Sequence, residues 1–261
     1  MMHQFARHHQ RLGISFCLFF IVAMSHAEEY KAVLDWSRRV PLSTLSSGVV
    51  ADVFVDIGDH VKQNDLLLQL DPVLFETRIK QSAVALKSAN ENFLEAKRER
   101  DRSEELYNRT VLSDHELQVA KNNLVTAQAE LEQARLKHEK AKYDYKYSRV
   151  FAPFNALVLE RNVQPGQVVS SELQPVTLLV VADADRMRAR IKVKQEELSR
   201  LKMKQAAQVT VGELSFAGKI VAIGFEPVKD SGGTSEYPVD IEFDTAQHVL
   251  RAGLNGKVEI K

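Results

Sequence analysis

Cysteine is almost missing from this sequence: its 261 residues hold one, Cys17. That residue sits in an apolar run near the start, so the chain beyond residue 27 is expected to have neither disulfide nor thiol chemistry. An excess of charge is missing too, because 35 basic side chains balance 35 acidic ones. No global field then points to nucleic acid or to anionic lipid, and charge names no partner. Histidine is scarce after residue 27, where only His60, His115, His138 and His248 occur. No two of them stand at helical or hairpin spacing, so no metal site is expected. A phosphate loop of the Walker type is absent. Residues 230–233 (DSGG) look like a protease nucleophile loop, but Lys229 stands where that motif wants glycine and the histidines leave no base for a triad. A surface turn is the better reading. Neither a catalytic constellation nor a cofactor is expected.

What is present begins with a leader. Arg7 and Arg11 precede an apolar run over residues 12–24, and Ser25, His26 and Ala27 offer small residues for cleavage. Residues 1–27 therefore read as a secretory signal cut after Ala27. An uncleaved anchor is the weaker alternative, since the run falls short of the roughly 20 residues that span a bilayer. Phe16 stands before Cys17 where a lipoprotein would want a small residue. A periplasmic location fits.

Between residues 72 and 148 two heptad patterns face each other across a short polar break. In the first, Ile79, Leu86, Phe93 and Arg100 form one row and Ser82, Ala89, Ala96 and Ser103 the other. In the second, Leu117, Leu124, Leu131, His138 and Tyr145 run beside Ala120, Ala127, Ala134 and Ala141. A sustained seven-residue repeat on both arms predicts a coiled coil, and the short break makes the helices antiparallel. Each arm of roughly 35 residues is on the order of 50 Å long at about 1.5 Å per residue. The expected register pairs Leu86 with His138 and Phe93 with Leu131, large with large. Asp71 before Pro72 is a start signal for the first helix.

Residues 48–71 alternate short β-rich runs with turn signals at Gly58-Asp59 and Asn64-Asp65. Residues 152–183 repeat that logic at an offset of 108: Val50 maps to Val158, Val55 to Val163, Gly58 to Gly166, Val61 to Val169 and Leu70 to Leu178. Neither half buries its apolar face alone, so the two are expected to pack as one small β-sandwich with the hairpin inserted between them. Beyond Arg186, five strands at 187–193, 207–211, 218–223, 237–243 and 257–260, with a short helix at 195–201, suggest a small β-barrel.

The order of half-motif, coiled hairpin, half-motif and barrel resembles the periplasmic adaptor subunits of the membrane fusion protein family, the hemolysin-D-like proteins, and among them those of resistance-nodulation-division efflux pumps. The resemblance rests on Gly48-Val49-Val50, Gly58 to Lys62, Leu66 to Asp71, Ala152-Pro153-Phe154 and Gln164-Pro165-Gly166. It implies a mostly β fold: a split lipoyl-like domain over residues 42–71 and 149–183, an α-helical hairpin over 72–148 and a β-barrel over 184–261. It also implies self-association into a ring, and partners in an inner-membrane efflux transporter and an outer-membrane channel protein. Adaptors that meet such a duct resemble one another in an arginine, a leucine four residues on and a serine seven further; Arg102, Leu106 and Ser113 match that spacing. Plainer readings stand beside each: a solvated charge for Arg102, a tip staple for Leu106, and for Ser113 a capping box with Glu116.

Other readings of the whole chain remain open here. One is an adaptor for an ATP-driven exporter. Another is a lipoyl or biotinyl carrier, although Leu70-Asp71-Pro72 offers no lysine where the prosthetic group would sit. A third is a coiled-coil scaffold with no transport role. Many adaptors of the family carry a further membrane-proximal domain, which is expected to be missing, since about a dozen residues precede the first half-motif. Arg251-Ala252-Gly253-Leu254 also departs from the family, which usually has proline before that glycine.

Overall fold

The structure is a computed structural model, and it describes residues 28–170, 176–229, 235–246 and 248–261. The signal peptide expected over 1–27 and the turn expected at 230–233 lie outside the described residues. The chain begins with β1 (Glu29–Trp36), β2 (Arg39–Leu42), β3 (Gly48–Val53), β4 (His60–Val61) and β5 (Leu66–Leu70). Helices α1 (Pro72–Asn108) and α2 (Asp114–Lys146) follow. Then come β6 (Arg149–Phe151), β7 (Ala156–Arg161), β8 (Val168–Val169) and β9 (Leu179–Asp183). The chain finishes with β10 (Arg186–Lys194), β11 (Ala206–Val211), β12 (Leu214–Ile223), β13 (Val228–Lys229), β14 (Ser235–Asp244) and β15 (Asn255–Ile260).

These elements nest. The sheet order β10-β1-β15-β11-β12-β14 closes on itself because β10 also pairs with β14 from Arg186↔Asp244 to Lys194↔Glu236. The result is a six-strand barrel with β13 added at one edge. Its filling alternates along each strand, as the period of two requires: Ala32 and Leu34 of β1, Met187, Ala189, Ile191 and Val193 of β10, and Ile241 and Phe243 of β14 share one buried core. Here the structure differs from expectation. The barrel assigned to residues 184–261 takes one of its strands, β1, from the segment ahead of the first half-motif. The reason is packing: without β1, strands β10 and β15 would present unpaired edges to water. The short helix expected at 195–201 is a 3₁₀ turn at Leu198–Arg200.

Inserted between β1 and β10 are two four-stranded sheets, β2-β9-β7-β4 and β6-β5-β3-β8. Val50, Leu68, Leu70 and Val150 of one sheet and Val158, Leu179 and Val181 of the other meet in a second buried core. Both halves of the repeat contribute to each sheet, and their hydrogen bonds repeat as well. The Gly58 N–H donates to the Val158 carbonyl at 2.9 Å, and the Gly166 N–H donates to the Val50 carbonyl at 2.8 Å. Gly58 and Gly166 both sit at positive φ, +95° and +85°, where only glycine is unstrained. The offset of 108 does not hold to the end of the repeat. Val50 pairs with Leu70, whereas its counterpart Val158 pairs with Val181, so Leu70 corresponds to Val181 and not to Leu178.

The hairpin is inserted once more, between β5 and β6. Asp71 caps α1, its carboxylate accepting the Val73 N–H at 3.0 Å, with Pro72 at the first helical position. At the other foot, Thr44 donates its hydroxyl to the Tyr147 carbonyl at 2.5 Å and Ser46 donates to the Asp144 carbonyl at 2.7 Å. Carbonyls at the last turn of α2, which no helical N–H reaches, are thereby satisfied from the sandwich. Every stripe position named above is buried or half-buried, from Ile79 to Ser103 and from Leu117 to Tyr145. The register is not the expected one. Ser82 Oγ lies 3.0 Å from His138 Nδ1, so His138 meets α1 one turn nearer the base than Leu86. Carried along by one heptad, that contact sets Leu131 level with Ala89. Side chains lean towards the N-terminus of their own helix, and in an antiparallel pair they lean past each other. No described helix is long and apolar enough to cross a membrane.

Candidate functional site

The tip of the hairpin is shaped by how α1 ends. Arg109 closes the helix, its N–H reaching the Glu105 carbonyl at 3.2 Å. Thr110 then turns the chain at φ +60°, and its N–H bonds the Tyr107 carbonyl at 2.8 Å. The left-handed conformation costs a β-branched residue roughly 1–2 kcal/mol, which the folding back of the next residues offsets. The Val111 N–H reaches the Leu106 carbonyl at 3.0 Å, laying the returning loop against the last turn of α1.

Arg102 projects into solvent, its side chain 66% exposed, and its Nη1 lies 2.9 Å from Glu99 Oε2. An exposed pair of this kind contributes no more than about 1 kcal/mol, so the guanidinium can exchange Glu99 for a better partner at little cost. Leu106, one turn further on, is half-buried, and its carbonyl accepts the Val111 N–H. Apolar exposure at the tip falls instead on Val111, at 71%, and Tyr107. The signal for Val111 lay in the sequence as an apolar residue between a turn and a helix cap.

Ser113 opens α2 with a complete capping box. Its hydroxyl oxygen accepts the Glu116 N–H at 3.3 Å, and the Glu116 carboxylate accepts the Ser113 N–H at 3.0 Å and the Ser113 hydroxyl at 2.6 Å. Those bonds, the hydroxyl first and the backbone N–H second, hold the Glu116 carboxyl below its ordinary pKa. Among the described residues no hydrogen bond links Arg102, Leu106 and Ser113 to one another. They share the tip as neighbours on two helix ends.

Charge on the tip is arranged as short-range pairs along α1: Arg98 with Glu95, Arg102 with Glu99, Arg109 with Glu105, and Arg100 with Asp101 and Glu104. Arg100 occupies a stripe position, and its Nε is buried without a hydrogen-bond partner. A groove on the outer face of the barrel, lined by Lys31, Arg190, Lys192 and Lys257, is the other concave surface of note. Two of these four cations are matched, Arg190 by Asp240 at 2.7 Å and Lys257 by Glu29 at 2.5 Å. Among the described residues no group of three or more side chains is placed to hold a metal ion.

Known proteins share this arrangement. Residues 38–182, the two sheets with the inserted hairpin, match the family described as RND membrane fusion protein, barrel-sandwich hybrid domain. The macrolide export protein MacA of Yersinia pestis is 27% identical over 245 residues, covering 87% of this chain and 66% of its own length. The multidrug export protein EmrA of Escherichia coli is 23% identical over 315 residues, covering 95% of this chain and 80% of its own. The chain thus spans just under two thirds of the first relative's length. Among solved structures, the membrane fusion protein Spr0693 of Streptococcus pneumoniae superimposes with a TM-score of 0.70 at 16% identity. That likeness covers 90% of this chain and 99% of Spr0693, and at such identity it concerns the fold.

Proposed function

Since the chain belongs to the RND membrane fusion protein family, we propose that it is a non-catalytic periplasmic adaptor of a tripartite efflux pump. It links an inner-membrane efflux transporter to an outer-membrane channel protein, and several copies stand together in a ring. One observation carries this reading. A two-helix arm rises from the sandwich, and at its end an exposed guanidinium, Arg102, is held only by a weak ion pair to Glu99. The sandwich that bears the arm is read as lipoyl-like, its two halves related by the Gly58 and Gly166 bonds. In place of a carrier lysine it has the Asp71 cap and Pro72, which suits a scaffold and not a swinging-arm carrier.

Within the tip, Arg102 takes the part of hydrogen-bond donor to carbonyls or carboxylates at the channel's rim, and Val111 that of an apolar contact. Ser113 shapes the start of α2, and Leu106 holds the returning loop. The names of MacA and EmrA speak of export, and export of a toxic small molecule is the activity proposed here. Deleting the gene and measuring sensitivity to a broad panel of toxic compounds tests it. Sensitivity restored by the wild-type gene supports the reading, and a panel unchanged by the deletion removes it.

A further inference from the structure

The barrel carries a row of lysines on its outer face. Strand β1 pairs with β15 so that Lys31 stands directly opposite Lys257. On its other side β1 pairs with β10, and the register Ala32↔Ile191, carried one residue further, sets Lys31 opposite Lys192. Neighbouring strands lie about 4.8 Å apart, so three lysines leave the sheet side by side, all of them exposed. Like charges directly opposite one another destabilise a sheet. Lysine on an edge strand guards it against further pairing, but β10, β1 and β15 are each paired on both sides. Edge protection therefore does not account for this row.

The surroundings neutralise only part of the row. Lys257 is held by Glu29 at 2.5 Å, and Arg190, one outward position along β10 from Lys192, is held by both carboxylate oxygens of Asp240 at 2.7 and 2.9 Å. Lys31 and Lys192 have no acidic partner among the described residues. Glu236, which lines the same groove, and Glu259, two residues beyond Lys257, pair with neither. The groove has a volume of about 980 Å³, and Val33, one outward position along β1 from Lys31, is 50% exposed in it. Two unanswered cations thus stand beside an uncovered apolar side chain.

We propose that this groove binds a phosphomonoester with an apolar body, its phosphate between Lys31 and Lys192 and its apolar part over Val33. Such a phosphate carries about −1.5 to −2 charges at pH 7, which answers two ammonium groups where a carboxylate would answer one. Lysine suits the task, because a compact ammonium can turn its three N–H donors to whichever phosphate oxygen lies nearest. Both lysines start from strands fixed on either side, so binding has only their side chains to order. The site stands on the barrel, apart from the hairpin tip, and does not depend on the adaptor reading. The phosphate belongs either to a soluble compound or to a lipid headgroup.

Calorimetry on the purified chain with hexyl phosphate tests the site. One site per chain is expected, and Lys31→Gln with Lys192→Gln should weaken binding by about tenfold or more. Val33→Ser should weaken hexyl phosphate and leave inorganic phosphate as it was. Lys80→Gln, at an exposed lysine of the hairpin, should change neither. Because the lysines repel one another, the double variant should melt no lower than wild type, which separates lost binding from lost folding. Vesicles of phosphatidylcholine with and without phosphatidic acid tell the two sources apart. Sedimentation with vesicles that needs phosphatidic acid, Lys31 and Lys192 assigns the phosphate to a lipid, and binding of hexyl phosphate alone assigns it to a soluble compound. The proposal is overturned if neither probe binds, if the double variant binds as tightly as wild type or melts lower, or if Lys80→Gln weakens binding as much. These readouts involve no transport, so they can fail while efflux stands, and efflux can fail while they hold.

Discussion

Ser82 and His138 touch across the hairpin, Oγ to Nδ1 at 3.0 Å. That contact sets a bulky stripe residue of α2 beside a small one of α1. Phe93, a bulky stripe residue of α1, is half-buried. Phe93→Asp puts a carboxylate into a half-buried stripe position, at a cost of about 2–3 kcal/mol. Thermal melting followed by circular dichroism should show a lower transition and reduced helicity. Near-normal melting would mean that Phe93 is not a packing residue.

The stripes themselves were legible in the sequence, because the period of seven survives even where Arg100 and His138 replace apolar residues. The phase between them was not. A heptad repeat looks the same after a shift, and only the lean of the side chains and the fold of the tip decide which turns meet. Strand β1 was missed for a different reason. Its alternation is plain in Ala32 and Leu34, buried between Lys31, Val33 and Asp35, but its partners β10 and β15 lie far along the chain. No local feature announces a strand that another part of the sequence must complete. At the tip, Arg102 stands exposed as its charge-rich surroundings suggested, while Leu106 is half-buried.

The paired glycines of the sandwich give a matched prediction. Gly58 and Gly166 hold positive φ, and a Cβ at either would meet nothing within 4 Å. Gly58→Ala and Gly166→Ala therefore act through backbone strain alone, and each should cost about 1–2 kcal/mol. Denaturant midpoints of the two single variants should move by similar amounts. A large difference between them would show that the two halves do not carry equal load.

Thr44 and Ser46 anchor the foot of α2 from buried positions. Thr44→Val keeps the shape of the side chain and removes the donor, leaving the Tyr147 carbonyl unsatisfied at a cost of about 1–3 kcal/mol. Hydrogen exchange should rise at the last turn of α2 more than at its middle. Uniform change along the helix would place the effect elsewhere.

Ser113→Ala removes half of the capping box and should cost about 1 kcal/mol at neutral pH. Glu116 sets its pH dependence. Its folded pKa lies below the ordinary value of 4.5, so the box stabilises the fold above that value and loses its effect as pH falls through the lowered one. The gap in melting temperature between wild type and Ser113→Ala should be full at pH 7 and should narrow as pH falls below the ordinary carboxylate range. A gap independent of pH would mean that the carboxylate takes no part in the cap.

Recognition at the tip can be separated from folding because its residues differ in what holds them. Arg102→Asp reverses a charge whose side chain is 66% exposed and is paired with Glu99, so stability should shift by no more than about 0.5 kcal/mol. A guanidinium fork that donates to acceptors on a channel cannot be replaced by a carboxylate, and resistance should fall to the level of the gene deletion. Val111→Ser removes an exposed apolar contact with equally little effect on melting. Leu106→Ser is a mixed case, since it removes a half-buried apolar side chain and should lower both stability and resistance. Melting temperature, crosslinking to the outer-membrane channel and toxin sensitivity, measured on all three variants, set the two effects apart. If Arg102→Asp and Val111→Ser both melt normally and both keep full crosslinking and full resistance, the tip is not where this adaptor meets its channel.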